Sequence, residues 1–246
     1  MQDLGRAALA LAFGLVLYAA IGGGLGAYLR RRRLVVSARN ALFAAFGATA
    51  VAAIVLLNAF RIRDFSFAYV AEHSSKALPF PYVYTAFWGG QEGSLLLWLL
   101  VLTGVGSAAV AFNRRLTTEV LPWTVPVLGG VASFFALLLV FVASPFGTQV
   151  APADGAGLNP SLQNPYMMIH PPLLYLGYVG LTIPFAFAAG ALLSGRFDSA
   201  GSLPHGAGRS SPGRRWGSGS CSARNGPTKR SAGAATTPGT RSRTPR

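Results

Sequence analysis

The residue in this sequence best suited to hold a metal is a histidine set before two prolines, in the run Met167-Met168-Ile169-His170-Pro171-Pro172-Leu173-Leu174-Tyr175-Leu176-Gly177-Tyr178. A neutral imidazole nitrogen can bind iron from the side. A residue before proline is pushed toward extended geometry, whereas proline itself suits the first turn of a helix, where its missing N–H costs nothing. The spacing therefore predicts His170 just ahead of a helix, on a stiff backbone. Position alone leaves the plainer alternative open: an imidazole that caps the helix or joins Tyr166, Tyr175 and Tyr178 in an interfacial belt.

A second run, Ala86-Phe87-Trp88-Gly89-Gly90-Gln91-Glu92-Gly93-Ser94-Leu95-Leu96-Leu97-Trp98, carries a carboxylate at a helix start and two tryptophans a few turns apart. Glu92 is favoured there by the helix dipole and the unpaired first-turn amides. Trp88 and Trp98 suit a membrane interface. The functional alternative is a glycine-permitted joint that supports a cofactor pocket. His73, beside Glu72 in a polar stretch, reads as a solvated loop histidine. The lone Cys221 allows no disulfide or CxxC pair within one chain, which excludes thiol redox chemistry as its own function.

The elements that must position these residues are membrane helices. The 246-residue chain is 52% hydrophobic and only 11% charged, whereas a soluble domain carries about a quarter of its residues charged. Five stretches lack charge over spanning length: 7–29, 41–60, 93–112, 120–146 and 173–193. About 20 apolar residues cover the hydrocarbon core as a helix. The first is too long for a signal peptide, and Arg30 to Arg33 follow it directly as a stop-transfer signal. Pro184 is expected to kink the fifth. The fold class is thus an all-α integral membrane protein.

Orientation follows from the short loops, because their Lys and Arg resist translocation. Arg30, Arg31, Arg32, Arg33 and Arg39 follow the first span, Arg114 and Arg115 the third, and Arg196 the fifth. Those ends are expected to be cytoplasmic and the N-terminus outside. The segments 61–92 and 147–170 then face outward, and the chemistry should be sought there.

The formal net charge of +14 suggests nucleic acid, but its distribution excludes that reading for the body of the chain. All seven acidic residues precede residue 199, and nine of the 21 basic ones follow it. The basicity is concentrated in a tail without acids or apolar periodicity, so residues 1–198 read as the helical domain and 199–246 as a disordered basic tail.

Together, Trp88 to Trp98 and Leu158-Asn159-Pro160-Ser161-Leu162-Gln163-Asn164-Pro165 running into His170 to Tyr178 resemble the CcmF/NrfE family, the haem-lyase subunits of bacterial cytochrome c maturation. The resemblance extends from about residue 5 to about 195. It implies a multi-pass protein of the bacterial inner membrane that receives a b-type haem transiently on its outer face. The haem is joined there by thioether bonds to the CxxCH cysteines of an apocytochrome c, with other maturation subunits as partners and no nucleic acid. His170 matches the first of two outward haem-ligating histidines and would bind the haem iron as an axial ligand, with Trp88, Glu92 and Trp98 supporting it. His73 matches no family ligand, and Gln91 stands where many members have histidine. The resemblance assigns no catalytic side chain within residues 1–198. A haem exporter without a ligation step, or a component of a small-solute transporter, is the alternative class. The spans contain no ionisable group beyond Glu92 at a helix edge, which counts against a solute path.

The tail admits a second reading as nucleotides. Regrouping the codons of Asn225 to Arg246 by one base permits W-A-Y-K-A-L-G-W-G-G followed by Y-Y-A-W-D-P-V-E-N-A-S. That string resembles the tryptophan-rich haem motif the family carries later in the chain. The expectation is a shift of reading frame between about residues 199 and 207, after which the tail is out of frame. A chain cut off in this way is expected to be inactive alone.

Overall fold

The computed structural model describes residues 1–113 and 120–195. Five of its helical spans are long and apolar enough to cross a membrane, and no strand occurs among the described residues, only an isolated bridge between Phe67 and Thr148. The chain is an all-helical membrane protein. Its helices are α1 (Gln2–Tyr28), α2 (Arg32–Ile62), α3 (Ala68–His73), α4 (Phe80–Thr85), α5 (Gln91–Phe112), α6 (Leu121–Phe141), α7 (Pro165–Gly180) and α8 (Thr182–Leu193). The expected disorder of 199–246, together with Arg114, Arg115, Arg196 and Cys221, lies outside the described residues.

α1 and α2 form an antiparallel hairpin, with α6 against the other side of α1. Small residues allow this closeness. A Cβ at Gly129 of α6 would stand 2.6 Å from the Ala20 amide nitrogen, and one at Gly26 of α1 would stand 2.9 Å from Leu34 Cβ. In lipid, where no hydrophobic drive joins helices, such backbone proximity supplies the packing energy. The buried seam holds Leu9, Val16, Leu42, Leu56, Leu96, Leu99, Leu102, Leu128 and Leu139, while Leu11, Ile21, Ile54, Phe134 and Phe185 stay exposed as a lipid-facing band.

The hairpin corner is tight: Arg30 takes a left-handed φ of 53°, and the Arg31 N–H bonds the Gly26 carbonyl at 2.9 Å. The acidic residues are segregated along the bundle. Arg30 to Arg33 and Arg39 lie at or near this corner with no acid beside them, whereas Asp3, Asp64, Glu72, Glu92 and Asp154 lie at or beyond the other helix ends, mixed there with Arg6, Arg61, Arg63 and Lys76.

Three expectations are corrected. α6 stops at Phe141 instead of continuing to about 146, where Pro145 has no N–H to give and disfavours helical geometry in its predecessor. Phe146 turns inward, fully buried, and its carbonyl accepts from Arg6 Nε at 2.9 Å. Segment 63–90, between the second and third spans, is not a plain loop but contains α3, α4 and a 3-10 turn. The fifth span begins at Pro165 rather than 173, and is interrupted at Leu181. The interruption lies three residues before Pro184, whose missing N–H leaves the Gly180 carbonyl without its helical partner.

Candidate functional site

α7 starts early because its first turn is capped. The Asn164 side chain accepts from the Tyr166 N–H at 3.0 Å, with Pro165 at the first helical position. His170 therefore lies inside α7, not ahead of it, and the extended geometry expected before Pro171 gives way to helix. Pro171 and Pro172 fall in its second turn, so the Met167 and Met168 carbonyls have no N–H four residues on. His170 is exposed on this helix, with Ile169 and Leu173 exposed beside it.

The approach to α7 is built from the other polar residues of the same motif. Asn159 Oδ1 accepts from the Ser161 N–H and hydroxyl at 3.0 and 2.9 Å, closing the turn Pro160–Leu162. Gln163 Nε2 donates to the Leu158 carbonyl at 2.8 Å, and the Leu158 side chain is buried beneath Gly89.

The upstream segment 154–157 docks on α3. The Ala156 N–H bonds the Ala71 carbonyl at 2.7 Å and the Gly157 N–H bonds the Ser74 carbonyl at 3.1 Å. Asp154 Oδ1 accepts from the Lys76 and Gly155 N–H groups, both at 2.8 Å, and these bonds hold its carboxyl below the usual carboxylate range.

Trp88, Glu92 and Trp98 sit on the joint between the 3-10 turn and α5. Tyr69 of α3 fixes that joint: its buried hydroxyl donates to the Phe87 carbonyl at 3.1 Å and accepts from the Gly90 N–H at 3.0 Å. Burial pushes this hydroxyl far above the usual phenol range, while the bond from Gly90 pulls the other way. Glycine is obligatory at 93, where a Cβ would collide with the Phe87 carbonyl oxygen. His73 is not solvated in a loop. It ends α3 half-buried, its ring 4.4 Å from that of Tyr69, its Nδ1 3.0 Å from the Tyr69 carbonyl, and its Nε2 against Gly90.

The two motifs meet at Tyr175. Its hydroxyl lies 3.2 Å from Ser94 Oγ, which itself donates to the Trp88 carbonyl at 3.1 Å. Ser94 has one proton and has given it to Trp88, so Tyr175 is the donor to Ser94. Trp98 packs against Tyr175 and Phe135, with ring centroids 5.4 Å apart in both cases. Trp88 and Trp98 are thereby joined to the His170 helix. Glu92 is not: it stays half-exposed in the first turn of α5, near Tyr69. The Trp88 Nε1 is buried without a hydrogen-bond partner.

Among the described residues no three His, Cys, Asp or Glu side chains cluster as a metal cage. Sequence reasoning missed Tyr69, which lies outside both motifs and has no pattern to mark it. The load on Ser94 and Tyr175 had a weak signal in their place within the motifs.

Residues 88–224 match the family model described as cytochrome C assembly protein. The cytochrome c-type biogenesis protein CcmF of Escherichia coli is 39% identical over 201 residues, covering 81% of this chain and 31% of that protein. CcmF of Pseudomonas aeruginosa is 42% identical over 202 residues, again 81% and 31%. The probable cytochrome c-type biogenesis protein NrfE of Escherichia coli is 43% identical over 147 residues, 59% of this chain and 27% of that one. Among solved structures, the cytochrome c heme lyase CcmF superposes with a TM-score of 0.70 at 34% identity, over 81% of this chain and 31% of its own. The chain spans about a third of the length of these CcmF relatives.

Proposed function

The chain belongs to the cytochrome c assembly protein family, and from that premise we propose that it is the N-terminal, membrane-embedded part of a haem-handling protein of cytochrome c biogenesis. It sits in the bacterial inner membrane with the N-terminus, α3 and the start of α7 outside, as the arginines of the opposite corner favour. His170 would hold the iron of a transient b-type haem, and Trp88 and Trp98 steady its helix through Ser94 and Tyr175. Glu92 and Tyr69 act one step back, on the joint. The haem supplies the group to be joined to the CxxCH cysteines of an apocytochrome c, in company with other maturation subunits; the protein's part is to bind and orient it.

The observation that carries this reading is an exposed imidazole on a helix tied by Tyr175 to the tryptophan-bearing motif. The test is haem retention by the purified protein, read from Soret absorbance. His170→Ala is expected to lose most of it, while its thermal unfolding shifts by less than about 0.5 kcal/mol because the side chain is exposed. Unchanged haem content would remove the assignment. Thioether formation on an added apocytochrome then separates ligation from export. In this proposal the reading frame shifts between about residues 199 and 207, and Asn225 to Arg246 are the out-of-frame remnant of the family's tryptophan-rich motif. Sequencing the gene across that junction decides it, since a shifted frame that is interrupted or spells something else refutes it.

A further inference from the structure

At the end of the bundle away from the haem site, one face of α2 forms an open cleft of about 570 Å³ lined by Arg32, Arg33, Val36, Ser37 and Asn40. Residues 32, 33, 36, 37 and 40 share a helical face. The cleft opens at the first turn of α2, whose N-terminal residue Arg31 provides no side-chain cap, and that turn contains no acidic residue. Two guanidinium groups, a hydroxyl and a carboxamide thus line one face of the first turns at the positive end of a 31-residue helix dipole. That donor set fits a phosphate diester.

An apolar surface continues from the polar cleft. The Tyr18 hydroxyl bonds Ser37 Oγ at 3.0 Å, so the Tyr18 face of α1 borders the cleft. Ile21, Leu25 and Tyr28 follow Tyr18 at helical spacing and are 57%, 52% and 76% exposed. They form an exposed apolar stripe on α1 that runs alongside the cleft, from the level of Ser37 to the corner. A free phosphate would use the donors and leave the stripe idle, whereas a phospholipid engages both.

We infer that this cleft binds the headgroup of an anionic phospholipid, with Arg32, Arg33, Ser37 and Asn40 on its phosphate and the Tyr18-Ile21-Leu25-Tyr28 stripe along its acyl chains. The site is independent of haem.

The test is native mass spectrometry of the full chain purified in micelles containing phosphatidylglycerol and phosphatidylcholine in equal amounts. The parent protein should retain phosphatidylglycerol preferentially. Arg33→Gln should lower that preference about fivefold, the scale of one juxtamembrane arginine. Ser37→Val, which leaves the charge intact, should lower it too, while Arg61→Gln at the opposite end should not. Equal retention of both lipids by the parent, or an unchanged preference in both Arg33→Gln and Ser37→Val, would overturn the inference. So would displacement of the lipid by inorganic phosphate alone, since the cleft would then be a site for the free anion.

Discussion

The hydroxyls of Tyr175 and Ser94 lie 3.2 Å apart across the contact between α7 and α5. Through this pair the helix bearing His170 is fastened to the turn bearing Trp88, because Ser94 also bonds the Trp88 carbonyl. Tyr175→Phe keeps the ring against Trp98 and removes only the donated hydrogen bond. A loss of about 0.6 kcal/mol is expected for such a bond between membrane helices. Tyr175→Ala also removes the edge-on aromatic contact, for about 0.5–1.5 kcal/mol more. Detergent unfolding of the two variants and of Ser94→Ala, as a double-mutant cycle, checks both values. Haem retention should fall with Tyr175→Ala although His170 is untouched.

Tyr69→Phe is expected to be costlier than its size suggests. It strips the Phe87 carbonyl and the Gly90 N–H of one partner together. Each buried orphan costs about 1–3 kcal/mol, and the joint carrying Trp88 should loosen before the spans separate. Hydrogen exchange at Gly90, faster in the variant while α1 and α2 stay protected, is the expected result.

Gly93→Ala should damage the same joint from the other side. The new methyl group would meet the Phe87 carbonyl and the Tyr69 hydroxyl, neither of which can retreat without breaking the bond between them. Overpacking of this kind costs about 1–3 kcal/mol. Gly130→Ala, in open space on α6, is the control and should leave the unfolding midpoint unchanged or slightly raised.

Asp154 gives segment 154–157 an acid sensitivity. Its carboxyl is held below the usual range by the bonds from the Lys76 and Gly155 amides. A carboxylate with a lowered folded-state pKa stabilises the fold above its unfolded value of about 3.9, and loses that contribution as pH falls through the lower folded value. Thermal unfolding should therefore decline below about pH 4, and Asp154→Asn should flatten that decline.

The five spans were legible because lipid imposes a length and a polarity that composition alone reveals, from the uncharged runs to the arginines that stop them. The helix ends were not. Whether Pro171 opens α7 or sits within it depends on Asn164 reaching the Tyr166 amide, and proline permits either placement. His73 misled for a related reason. Its polar neighbours suggest water, but its surroundings are set by Tyr69 and by Gly90, which lies in a motif seventeen residues on. Of the candidate residues, Trp88 and Trp98 meet the His170 helix through a tyrosine whose partner no spacing rule identifies. Glu92 lies in the first turn of α5, where the helix dipole favours a carboxylate.

The two prolines after His170 set a limit on depth. With no N–H at 171 or 172, the carbonyls of Met167 and Met168 lose their helical partners, and in hydrocarbon each such orphan costs several kcal/mol unless water, a headgroup or a neighbouring helix satisfies it. The second turn of α7 thus acts as a waterline. Water or headgroups satisfy this exposed turn most cheaply, which favours His170 at the boundary, within reach of a flat amphiphile that itself partitions to that plane.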